Sequence, residues 1–130
     1  SREVRHMPQA WNERFQADLG ITPPDDRQGV LQDVHWYGGG IGGAFQGYTL
    51  GNIMSGIFYQ AALRAHPEIP AEIEAGRFNT LHQWLKQNIY QHGRKFTASE
   101  LLQRITGSAA LSIEPYMDYL RNKYQALYQA

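Results

Sequence analysis

Thr49-Leu50-Gly51-Asn52-Ile53-Met54-Ser55-Gly56-Ile57-Phe58-Tyr59-Gln60-Ala61-Ala62-Leu63-Arg64-Ala65 sets Leu50, Ile53, Met54, Ile57, Phe58, Ala61 and Ala62 at helical spacing over a broad face. So dense an apolar surface predicts a helix buried on most sides. Further helices with clear punctuation follow it. A short one runs from Pro67 to Ala75 and ends at Gly76. The next, from about Phe78 to His92, places Leu81, Trp84, Leu85 and Ile89 on one stripe and stops at Gly93. Thr97-Ala98-Ser99-Glu100 has the form of a capping box, in which hydroxyl and carboxylate satisfy free N–H groups of a first turn, and it opens a helix ending at Gly107. Ser112 caps a last helix from Ile113 to Tyr128, with Pro115 in its first turn and Tyr116, Leu120, Tyr124 and Leu127 facing inward.

Upstream, Val4, Met7, Trp11, Phe15 and Leu19 recur every three or four positions, and Gly20 stands where a helix C-cap would. They predict one amphipathic helix from about Val4 to Leu19, with Pro8 in its first half. Thr22-Pro23-Pro24-Asp25-Asp26 is a turn-rich loop. Beyond it, Val30, Val34, Trp36 and Tyr37 suit either a short strand or a single helical turn. Gly38, Gly39, Gly40, Gly42, Gly43 and Gly47 crowd residues 38–47. Each glycine costs a helix about 1 kcal/mol, so this stretch predicts a loop whose backbone can approach a ligand closely. The expected fold is all-α and bundle-like, a single helical domain over residues 1–130 with one Gly-rich loop.

Composition narrows the function. The chain has 130 residues, 42% hydrophobic and 18% charged, which places it among globular sequences. Twelve basic and twelve acidic residues cancel, leaving no electrostatic footprint for nucleic acid or an acidic membrane surface. With no cysteine, disulfides, thiolate metal sites and a cysteine nucleophile are excluded. No apolar run is long enough to span a bilayer, and Ser1-Arg2-Glu3-Val4-Arg5-His6 is not a signal peptide. A soluble, cytoplasmic protein is expected. A start at Ser1 rather than methionine is consistent with a segment of a longer chain.

Gly29-Val30-Leu31-Gln32-Asp33-Val34-His35-Trp36, followed downstream by Tyr48-Thr49-Leu50-Gly51-Asn52, resembles the GxxQDxHW motif of the M32 family of metallocarboxypeptidases, the carboxypeptidase Taq type. Gly29, Gln32, Asp33, His35 and Trp36 meet every fixed position. Weaker likenesses follow in order at Pro8-Gln9-Ala10-Trp11-Asn12, Trp84-Leu85, Gly93-Arg94, Glu100-Leu101, Thr106-Gly107 and Tyr119-Leu120-x-x-Lys123-Tyr124. The resemblance therefore covers almost the whole chain, as the last quarter or so of a longer enzyme. No His-Glu-x-x-His occurs in the sequence. The resemblance implies a C-terminal, substrate-side segment of a helical zincin-type peptidase that releases C-terminal amino acids. It implies zinc or another divalent metal in the intact enzyme, with no metal bound and no catalysis by this chain alone. It also implies a peptide with a free C-terminus as substrate, and the N-terminal His-Glu-x-x-His portion as partner. The arginine that holds the substrate carboxylate in the family would lie in that other portion, and a homodimer stays open.

In that family a histidine, and a tyrosine about a dozen positions later, supply hydrogen-bond donors to the oxyanion and the substrate backbone. Here the pair is His35 and Tyr48. One preorganised oxyanion donor is typically worth about 3 to 4 kcal/mol. A hydrogen-bonded structural histidine and a buried structural tyrosine are the alternatives. The substrate-side residues are Gln32, Asp33, Trp36, Gly42 and Gly43. Asp33, two residues from His35, can orient the imidazole by accepting from a ring N–H if the segment is extended, or can cap the adjacent turn. Gln32 would fall on the opposite face, to bond substrate backbone or tie down the loop. The bulk of Trp36 suits holding the loop against the helix after Tyr48. Gly42 and Gly43 would let the backbone approach substrate. The chain departs from the family in Gly42-Gly43-Ala44-Phe45-Gln46-Gly47-Tyr48, which lacks proline and has Ala44 near a tyrosine of relatives.

Two other patterns carry nothing. Gly38-Gly39-Gly40-Ile41-Gly42-Gly43 fits GxGxxG, but no acidic residue follows at the nucleotide-binding spacing. His6, His35, His66, His82 and His92 include no helical metal pair. A reading of another class is a stand-alone helical domain, derived from such a peptidase, that binds a peptide or partner subunit without catalysis.

Overall fold

A computed structural model describes residues 3–40 and 42–128, apart from the side chain of Ala126; Ile41 of the glycine run lies outside the described residues. Every regular element among them is helical: α1 Met7–Leu19, α2 Phe45–Ala65, α3 Ile69–Glu74, α4 Asn79–Asn88, α5 Ala98–Thr106 and α6 Glu114–Tyr128. Short 3-10 turns occupy Val4–His6, Val34–Trp36 and Tyr90–His92. The all-α expectation holds. The chain divides into two compact units, Ser1–Tyr48 and Thr49–Ala130.

In the first unit α1 starts three residues later than the apolar spacing predicts. Pro8 has no N–H to give, and its ring would clash with the carbonyl four residues back, so α-helical bonding cannot run through it from Val4. Pro8 falls instead in the first turn, where no donor is required. Gly20 closes the helix, its N–H on the Gln16 carbonyl. Trp11 stacks on Phe15 with ring centroids 4.3 Å apart and meets Trp36 edge-on at 4.9 Å.

The core of the second unit is Ala61, Ala62, Ile69 and Trp84, with Phe58, Leu81, Leu85 and Ile105 packed around it. The predicted helical stripe of α4 therefore faces this core. α2 differs from expectation at its start, which is Phe45 rather than Thr49, so Gly47 sits inside the first turn. The cost of that glycine is offset by the aromatic contacts of Phe45 and by the Gln46 side chain, which donates to the Gly43 carbonyl at 2.6 Å. Burial on most sides holds only in the later part of α2, at Gly56, Ile57, Ala61 and Ala62, while Leu50 is 45% exposed. Gly56 is required: a Cβ there would lie 2.8 Å from the Tyr116 Cα of α6.

The remaining boundaries shift for local reasons. α4 stops at Asn88, whose side-chain amide donates to the Trp84 carbonyl at 2.8 Å, while Ile89 leaves the helical region and a separate turn follows. α3 is shorter at both ends than the predicted Pro67 to Ala75. α6 begins at Glu114 rather than the predicted Ile113, and the Ser112 hydroxyl accepts from the Glu114 N–H at 3.3 Å. Tyr116 and Leu120 are half-buried, but Tyr124 and Leu127, expected inward, are exposed.

Both halves of the capping box of α5 are present: the Thr97 hydroxyl accepts from the Glu100 N–H, and the Glu100 carboxylate accepts from the Thr97 N–H. The Thr97 N–H, and after it the Thr97 hydroxyl, both donating to the Glu100 carboxylate, hold that carboxyl below its ordinary range. Thr97→Ala is expected to lower the unfolding free energy by about 0.5 to 2 kcal/mol, read as a lower urea midpoint at unchanged slope.

Candidate functional site

The residues singled out by sequence gather around the turn Val34–Trp36 and the first turn of α2, within the first unit. Asp33 is extended and ends in a carboxylate that accepts from the His35 backbone N–H at 3.0 Å and pairs with His35 Nδ1 at 2.7 Å. The two roles considered for Asp33, turn cap and imidazole orienter, are performed by one oxygen. The turn itself is 3-10 rather than strand.

The His35 backbone N–H, its ring N–H and its charge, in that order, hold the Asp33 carboxyl below the ordinary aspartate value. Asp33 is thus ionised at neutral pH. A carboxylate has no proton to give, so the hydrogen on this bond belongs to Nδ1, and Nε2 is the nitrogen left for a ligand. Neutral His35 offers a lone pair there; protonated His35 offers an N–H whose charge Asp33 balances. The His35 side chain is 41% exposed, so Nε2 chemistry is accessible.

Tyr48 lies one helical turn beyond Phe45, and its ring stands edge-on to the His35 imidazole with centroids 5.6 Å apart. At 61% exposure it is not a buried structural tyrosine in this chain. Phe45, which sequence reading did not single out, is the hub of the cluster: 4.2 Å from Trp36, 5.2 Å from His35 and 6.0 Å from Tyr48. The available signal was its i, i+3 spacing to Tyr48. Trp36 lies against Trp11 and Phe45, and so packs the loop on the first residue of α2.

Gln32 is exposed, and its backbone N–H, donating to the Gly29 carbonyl, ties the turn. Gly42 (φ 93°) has open space where a Cβ would stand. Gly43 (φ 74°) does not: a Cβ there would meet the Trp36 and His35 carbonyl oxygens at 2.5 and 2.6 Å. Among the described residues no three His, Cys, Asp or Glu side chains converge to hold a metal ion, and no helix is long and apolar enough to cross a membrane. The His35 and Tyr48 rings lie beside each other, and both side chains are partly open to solvent.

Compared with known proteins, this all-helical chain is similar to one class, the metallopeptidases. The family model described as carboxypeptidase Taq (M32) metallopeptidase covers residues 2–124, and the chain belongs to that family. It is 39% identical over 125 residues to Carboxypeptidase 1 of Bacillus subtilis (strain 168), spanning 96% of this chain and 25% of that protein. It is 38% identical over 122 residues to Thermostable carboxypeptidase 1 of Thermus thermophilus, spanning 94% of this chain and 24% of that one. The M32 carboxypeptidase structure from Deinococcus radiodurans R1 superposes with a TM-score of 0.88 at 49% identity, over 98% of this chain and 25% of that chain. The Trypanosoma cruzi metallocarboxypeptidase 1 structure gives 0.82 at 32% identity, over 95% and 26%. The chain thus spans about a quarter of the length of the curated relatives it matches.

Proposed function

We propose that this chain is the C-terminal, substrate-side segment of a metal-dependent carboxypeptidase that releases single amino acids from the free C-terminus of a peptide. The observation that carries this reading is the pairing of His35, held by Asp33, with Tyr48 at the head of α2 in a chain of the M32 family. The metal, zinc or another divalent ion, belongs with the His-Glu-x-x-His portion of the enzyme. On this reading the work of this chain is hydrogen bonding and orientation.

When its ring carries both protons, His35 donates from Nε2, and Tyr48 from its hydroxyl, toward the scissile carbonyl oxygen as it gains negative charge. Donors fixed beforehand act on that charge without reorganising, which favours the transition state over the ground state. Asp33 keeps the ring turned so that Nε2 points outward, and its carboxylate balances the imidazolium. Gln32, which is exposed, and the open backbone at Gly42 contact the peptide chain on this reading.

The test uses the enzyme in which this segment is joined to its His-Glu-x-x-His portion, assayed by release of the terminal residue from an N-blocked dipeptide. Tyr48→Phe is expected to lower kcat about a hundredfold with little change in KM, since the hydroxyl acts in the transition state. An unchanged kcat would remove Tyr48 from the donor pair. The isolated chain is expected to cleave nothing, and catalysis by it would overturn the division of labour.

A further inference from the structure

We propose that Gly43 is a positioning residue: the contact of its bare Cα with the His35 and Trp36 carbonyls sets the distance between His35 and Tyr48. The inference rests on the reading of those two side chains as a donor pair. It gives Gly43 a task different from touching substrate.

The geometry around Gly43 is over-determined. Its φ of 74° is in the left-handed region, which an L side chain rarely adopts. A Cβ would also stand 2.5 Å from the Trp36 oxygen, 2.6 Å from the His35 oxygen and 2.8 Å from the Trp36 carbonyl carbon. All three are backbone atoms of the turn that carries the imidazole, so no side-chain rotation can relieve the collision. Immediately after Gly43, the Ala44 N–H donates to that same His35 carbonyl at 2.8 Å. The Gly43 carbonyl in turn accepts from the Gln46 side chain, inside the first turn of α2.

Two rigid pieces meet here. One is the 3-10 turn with Asp33 as its cap; the other is the head of α2, where Phe45 and Tyr48 share a face. Gly43 and Ala44 are the hinge between them, pressed flat against the His35 and Trp36 peptide. A side chain at 43 has to move this turn and the head of α2 apart, and the His35–Tyr48 contact spans that gap. Gly42 is the natural comparison. Its φ of 93° carries the same backbone requirement, yet nothing lies within 4 Å of where its Cβ would be.

The test compares Gly43→Ala with Gly42→Ala by NMR of this chain, reading cross-relaxation between the His35 and Tyr48 rings. The Trp11–Phe15 and Trp84–Ala62 contacts report on the fold. Gly43→Ala is expected to lose the His35–Tyr48 signal while both fold contacts persist, and Gly42→Ala is expected to keep it. Retention of the signal in Gly43→Ala would overturn the inference, as would equal loss in Gly42→Ala. Loss of the Trp11–Phe15 contact would also overturn it, by making Gly43 a folding residue. In the joined enzyme, Gly43→Ala is expected to reduce kcat about a hundredfold at nearly constant KM, as for misplaced reacting groups. A lost ring contact with unchanged kcat would leave the positioning in place and refute the donor pair.

Discussion

His35→Ala is expected to lower kcat of the joined enzyme by about 10²- to 10³-fold, the range typical for removal of one preorganised oxyanion donor, with KM changed by only a few-fold. The distinction matters because a histidine that merely bound the peptide would raise KM at constant kcat. Asp33 provides an internal check. It reaches the reaction only through His35, by the 2.7 Å bond to Nδ1 and the cap on the turn. Asp33→Ala should therefore lower kcat in the wild-type background, and add little once His35 is alanine. Such non-additivity marks residues that act as a unit, and fully additive losses would refute the pairing. The pH dependence has a defined sign. The Asp33 carboxyl is lowered in the folded chain, so its contribution to holding the turn is complete above its unfolded value of about 4. That contribution fades only as pH falls through the lower folded value. NMR of the Asp33 carboxyl should accordingly show it ionised at pH 5. Protonation near neutral pH would contradict the assigned Nδ1 tautomer.

How much of this was legible in the sequence follows from the range of the forces involved. The capping box of Thr97 and Glu100 and the stripe of α4 are local patterns, and each appears in the structure. The start of α2 was not legible. Per-residue propensity counts Gly47 against a helix, whereas the helix starts at Phe45, whose ring packs on Trp36 and His35. For the same reason Phe45 went unnoticed: an isolated phenylalanine in a glycine-rich stretch gives no hint that it touches three other aromatic rings. The Asp33–His35 relation was half legible. Spacing brought carboxylate and imidazole together but left strand or turn open; the segment is a 3-10 turn, in which the same oxygen also caps the backbone. Tyr124 and Leu127 have the right helical spacing for burial and are exposed, because periodicity identifies an apolar face without supplying the surface that covers it.

Trp84→Ala is expected to cost about 3 to 5 kcal/mol, the range for truncating a large buried aromatic. The upper part of that range applies because of what surrounds the ring. Trp84 is 7% exposed, and its buried neighbours are Ala61, Ala62 and Ile69, the last two almost completely inaccessible. The alanines have no rotamers with which to refill a void, so filling it requires Ile69, the larger side chains packed around the cluster or the α2 and α4 backbones to move. Interiors packed at crystal-like density resist such movement. Against a typical domain stability of 5 to 15 kcal/mol, one such loss removes a large share of the total. For a unit of this size each 1 kcal/mol shifts Tm by about 4 to 8 °C, so the expected fall exceeds 10 °C. Far-ultraviolet circular dichroism is the appropriate probe. Of the three tryptophans, Trp11 and Trp36 belong to the other unit, and the substitution removes the fluorophore of this one. Trp84→Phe should recover most of the loss, since a smaller ring leaves a smaller void. A Tm within 3 °C of the parent for Trp84→Ala would mean that the Ala61, Ala62 and Ile69 cluster does not hold the second unit together.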